Sequence, residues 1–66
     1  MSLPTQGEEY SKLLEFLRKA QESSAMLAHL ASANDDRVLA KGWLGIEELL
    51  KRMATQITKL AMGKLQ

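Results

Sequence analysis

From Tyr10 onward, apolar or small residues return at alternating steps of three and four: Tyr10, Leu13, Leu17, Ala20, Ser24, Leu27 and Ala31. That spacing holds one stripe on the face of an α-helix. A second stripe follows at Leu39, Trp43, Ile46, Leu50, Met53, Ile57 and Leu60, with the same alternation and no missed position. Between the two lies Ser32-Ala33-Asn34-Asp35-Asp36, a run of residues that favour turns and caps because their side chains bond nearby backbone. The pattern predicts helix one over about 6–33, a bend at about 34–36 and helix two over about 37–63. The fold class is all-α, an antiparallel two-helix hairpin completed to a four-helix bundle by dimerisation or by a partner. The alternative is one uninterrupted rod needing a long coiled-coil partner.

Local chemistry supports these boundaries. Thr5 and Glu8 have the spacing of a capping box, so helix one is expected to start near Gln6. At the bend, Asn34 is expected to end helix one in a left-handed conformation, with Asp35 capping helix two and Asp36 complementing its dipole. Glu8 with Lys12, Glu15 with Lys19, Glu47 with Lys51 and Glu48 with Arg52 place acid four residues before base, the favourable order on a helix surface. Lys59 and Lys64 suit the negative end of the second dipole, and Gly63 marks the expected stop. Folding back at the bend pairs positions whose numbers total about 70. Ser24 then lies beside Ile46, and Ala20 beside Leu50.

The stripes do not use up the apolar residues. Phe16, Ser23, Met26, Leu30 and Ala33 form a second flank on helix one, with Leu14 on its other side; Val38, Leu49, Ala54 and Ala61 surround the stripe of helix two. Two helices cannot cover both sides of faces this broad. Phe16, Met26, Leu30, Val38, Trp43 and Leu49 are therefore the expected protein-interface residues. The bland counterpart is a monomer whose flanks are half-buried. Gly42 and Gly45 bracket Trp43 in a strongly helical stretch, where each costs about 1 kcal/mol relative to alanine. Close helix approach, a notch for a partner side chain, room for Trp43, or a later start of helix two would each account for them.

Composition narrows the function classes. With 66 residues, no cysteine and one histidine, the chain has neither disulfides nor a thiolate or histidine-rich metal site to stabilise a small core. Packing and association remain. A net charge of +1 gives no sustained field for phosphate backbones, so nucleic acid is an unfavoured partner. No stretch reaches the ~20 apolar residues of a membrane span, and the first residues lack a signal-peptide pattern. The expected localisation, cytoplasmic or otherwise intracellular and soluble, rests on those two absences. The ends of the chain fit an excised domain of a longer protein as well as a whole one.

Catalytic chemistry is not expected. His29 reads as a surface histidine without a nearby nucleophile, Asp35 and Asp36 as caps, and Glu47 and Glu48 as members of ion pairs. Ser23 and Ser24 read as small residues that let helices approach. No phosphate loop, nucleophile elbow or zinc spacing occurs, so neither cofactor nor metal is implied. In size and two-helix plan the chain resembles Rop-type hairpins that pair into four-helix bundles; the likeness is architectural and carries no function. The expected function is a non-enzymatic protein–protein interaction or adaptor module, self-associating or receiving a partner helix. The alternatives are a small nucleic-acid-binding regulator and an amphipathic membrane-surface element.

Overall fold

The computed structural model describes residues 5–65, with side chains described as far as Gly63. The short N-terminal tail is expected over residues 1–7; its residues 1–4 and the Lys64 side chain lie outside the described residues. Two helices, α1 (Gln6–Ala33) and α2 (Arg37–Leu65), pack against each other as an antiparallel hairpin. The α2 helix runs through Gly63 to Leu65, two residues beyond the predicted stop. It also begins at Arg37, which rules out a late start at Trp43 as the reason for the glycines.

Thr5 caps α1 as its spacing predicts, its Oγ1 accepting from the Glu8 amide at 3.1 Å. The bend uses the expected residues in a different arrangement. Asp35, not Asn34, takes the left-handed conformation, with φ of 59°, while Asn34 has φ of −97°. The Asp36 amide donates to the Ala31 carbonyl at 2.9 Å and the Asp35 amide to Ser32 at 3.0 Å. This pair of bonds closes a Schellman turn and satisfies carbonyls that a helix end otherwise leaves free. Asp36 then caps α2, its Oδ1 accepting from the Leu39 amide at 3.0 Å. Each role falls one residue later than predicted, because Asn34 stays in the helical turn and its side-chain amide donates to the Leu30 carbonyl.

The contact between the helices is rotated from the predicted stripes. In α1 the buried residues are Leu17, Ser24, Ala28 and Ala31, continued by half-buried Leu14 and Gln21. In α2 the seam is Ala40, Trp43, Glu47, Leu50, Ala54, Ile57 and Ala61. Half of each stripe is thus replaced by the neighbouring row, a turn of ~50° about each axis at 100° per residue. The cause is visible in residue size. Ala28, Ala31 and Ala40 let the backbones come close, and the buried Ser24 hydroxyl donates to the Trp43 carbonyl at 2.7 Å. A leucine in those positions would hold the helices apart. This bond also ties Ser24 to Trp43, one turn before its expected neighbour Ile46.

The hairpin is a slab of 49 × 26 × 9 Å, one helix thick. Both of its broad sides meet solvent.

Candidate functional site

Rotation of the seam moves large side chains outward. Leu13, Phe16, Leu27 and Leu30 on α1 are all exposed, as are Leu39, Ile46, Leu49, Met53 and Leu60 on α2. The row 13, 20, 27 precedes the seam in the winding sense of α1, and the row 39, 46, 53, 60 precedes it in α2. For two right-handed helices running in opposite directions, those rows lie on the same side of the pair. Phe16 and Leu30 extend the first row outward, and Leu49 extends the second. One broad side of the slab is therefore a continuous apolar face.

The other side is mostly polar, with Leu44 and Met62 as its exposed large apolar side chains among the described residues. Ser11, Arg18, Ser32 and Glu22 of α1 lie there with Lys41, Glu48, Lys51 and Thr55 of α2, all exposed. Arg18 bridges two carboxylates on it, donating to Glu15 through Nε at 3.1 Å and Nη2 at 2.6 Å and pairing with Glu22. The Arg18 hydrogen bond holds the Glu15 carboxyl below its ordinary range, and Glu15 in turn raises the Arg18 guanidinium. Other pairs join Lys12 to Glu9 at 3.4 Å and Lys51 to Glu48 at 3.8 Å. These pairings differ from the four predicted ones: three of them are spaced by three residues, and only the Arg18–Glu22 pair spans four. Glu47 departs furthest from expectation, since it is half-buried at the seam instead of exposed beside Lys51.

The six expected interface residues separate into three groups. Phe16, Leu30 and Leu49 lie on the apolar face, and Phe16 is 71% exposed. Met26 and Val38 sit on the outer edges, opposite the seam, with Val38 85% exposed. Trp43 is half-buried in the seam, so its indole belongs to the hairpin's own packing more than to a free flank. The stripe members Leu13, Leu27, Leu39, Ile46, Met53 and Leu60 were expected to be covered within the hairpin and instead make up most of the face. Their signal in the sequence was the alanine beside each stripe, at 28 in helix one and at 40, 54 and 61 in helix two.

A methyl group added at Gly42 or Gly45 would meet nothing within 4 Å. Neither glycine serves a close approach of the two helices within the hairpin. His29 is exposed, and Asp35 and Asp36 are occupied in the bend. Among the described residues no group of three or more His, Asp or Glu side chains is placed to hold a metal ion, and no helix is long and apolar enough to cross a membrane. Comparison with protein-family models, with curated proteins and with solved structures gave no match.

Proposed function

We propose that the chain is a non-catalytic protein–protein interaction module whose apolar face receives a second layer of helices, completing a four-helix bundle. The observation that carries this reading is the imbalance between the two broad sides of the slab, the other side exposing only Leu44 and Met62 among the large apolar side chains of the described residues. Nine large apolar side chains, each roughly half exposed, share one face. At ~180 Å² for a fully exposed large side chain they present on the order of 800 Å². The largest apolar patch of an ordinary monomer is about 300–600 Å², whereas one side of a stable interface is about 800 Å². The face therefore has the size of an interface, and its geometry of two parallel ridges suits helices laid along it.

Sedimentation equilibrium with Phe16→Glu and Thr55→Glu tests the proposal. Phe16 is mostly exposed, so the hairpin loses little when it is replaced, but a partnered face loses about 2 kcal/mol per copy. The wild type is expected to associate, Phe16→Glu to shift to monomer with its helix signal retained, and Thr55→Glu, on the polar side, to behave as wild type. A sharp monomer at high concentration that melts cooperatively and binds no apolar dye contradicts the proposal.

One observation favours a second reading, an anionic membrane surface. The outer rows bordering the apolar face carry Lys12, Lys19, Arg52 and Lys59, all exposed. Long basic side chains beside an apolar face are what an interfacial helix uses. Sedimentation with vesicles containing phosphatidylserine, abolished by Lys19→Glu with Arg52→Glu, is the result that this reading requires.

A further inference from the structure

The face is occupied by a second copy of the hairpin, we infer, related by a two-fold axis running along the helices, so that both bends lie at one end and each α1 packs on the partner's α2. This rests on the docking reading above. Two stacking orders are open to two identical slabs placed face to face. An axis along the helices lays α1 on the partner's α2. An axis across them lays α1 on the partner's α1 and α2 on its α2, with the bends at opposite ends.

Side-chain size separates the two. A rotation about the helix direction leaves every residue at its own height, so the register is fixed by the hairpin itself. Positions of equal height have residue numbers totalling about 69, between the 67 of the Ser24–Trp43 bond and the 70 of a bend centred on Asp35. The face of α1 has small residues at its middle, Ala20 and Ser23, and large ones on either side. The face of α2 is the reverse, with Ile46 and Leu49 at its middle and Gly42 towards the bend. At this register Ala20 meets the partner's Leu49, Ser23 meets its Ile46, and Leu27 meets its Gly42. Small faces large at these three, in the middle of the face and towards the bend, as interdigitated packing requires, while on either side Phe16 meets the partner's Met53 and Leu30 its Leu39, large against large. The crossed axis fixes no register of its own; placed between Ala20 and Ser23, it sets those two small residues against each other, leaving a void, and Ile46 against Leu49 on the other pair of helices.

The same register supplies a role for Gly42, which packs against nothing within its own hairpin. Its missing side chain is the space that the partner's Leu27 fills. Gly45 lies on the outer row, and nothing in this arrangement explains it.

Charge opposes the inference and is outweighed. With the axis along the helices, Lys19 comes near the partner's Arg52, and Lys12 near its Lys59 with Glu9, paired to Lys12 at 3.4 Å, beside them. Exposed like-charge pairs of this kind each weaken association by a factor of about 1.5 to 5 and are screened by salt. A void left by a missing leucine-sized group weakens it by a factor of roughly 30 or more. Packing decides the order.

The test exploits the absence of cysteine. A nitroxide attached through Ser32→Cys, near the bend and on the polar side, reports the distance between the two copies by pulsed dipolar spectroscopy. With the bends together, the labels sit across a bundle of 8–10 Å helix spacing and are expected within ~25 Å. With the bends apart, about 20 residues of helix separate them at 1.5 Å each, giving ~30 Å or more. The second arm is Arg52→Glu, expected to tighten association severalfold by facing the partner's Lys19, as added salt also does for the wild type. A long distance with no effect of Arg52→Glu overturns the orientation while leaving the docking face intact. No dipolar coupling together with a monomer mass overturns self-association itself, and with it this inference.

Discussion

Enlarging Ala40 separates the observed seam from the one that the hydrophobic stripe suggests. Ala40 is 6% exposed against α1, whereas Leu39 beside it is 48% exposed. In Ala40→Leu, three further carbons enter a contact made close by Ala28, Ala31 and Ser24, and overpacking of this kind costs about 1–3 kcal/mol. For a domain of this size each kcal/mol moves the melting midpoint by about 4–8 °C, so the variant is expected to melt lower by ~4–24 °C. Helix propensity contributes almost nothing to the change, because leucine and alanine are both strong helix formers. Circular dichroism melts at several matched protein concentrations provide the assay, with Val38→Leu on the exposed outer edge as the control expected to stay within ~0.5 kcal/mol of wild type. A melting point for Ala40→Leu that equals or exceeds wild type would refute the seam, since it would mean that position 40 lies on a flank with room to spare.

The bend offers a pair of opposite effects. Asp35→Gly is expected to stabilise by about 0.5–1 kcal/mol, because glycine takes φ of 59° without a side-chain penalty; Asp36→Ala removes the cap on α2 and is expected to cost about 1 kcal/mol, both read from denaturant midpoints. Gly45→Ala and Gly42→Ala are each expected to add about 1 kcal/mol to the helix of an isolated hairpin, yet sedimentation should show weaker self-association only for Gly42→Ala. The Arg18 hydrogen bond gives Glu15 a folded pKa below its unfolded one, so that pair stabilises above the unfolded value and loses its contribution as pH falls through the folded one. Thermal midpoints at pH 7 and ~3 should fall slightly more for wild type than for Glu15→Gln, the difference staying small because both side chains are solvated.

The two helices and the bend between them were legible because they depend on local chemistry. Capping by Thr5, the cluster at 32–36 and the unbroken period of three and four are properties of short segments. The rotation of the seam was not, since periodicity shows that an apolar stripe exists without saying which of two adjacent rows touches the neighbour. At Leu39 and Ala40 and at Met53 and Ala54, the larger residue dominates any hydrophobicity pattern, but the smaller one permits the closer approach. The candidate face was legible in part for the same reason. Phe16, Leu30 and Leu49 stand out as residues left over from a stripe, while Leu13, Leu27, Leu39, Ile46, Met53 and Leu60 are hidden inside one. The cross-helix bond from Ser24 to Trp43 depends on a tertiary contact that no local pattern encodes.

The chain contains two isoleucines, and they report on opposite claims: Ile57 lies in the half-buried seam, while Ile46 lies on the apolar face and is 43% exposed in the single hairpin. Their methyl resonances, recorded with a soluble paramagnet at high and low protein concentration, test the covering of that face directly. The expected result is that both methyls are shielded at high concentration and that dilution, or Phe16→Glu, opens Ile46 while Ile57 stays shielded. An Ile46 methyl equally open to the paramagnet at every concentration, beside a protected Ile57, would show a folded hairpin whose apolar side nothing covers, and would contradict the account.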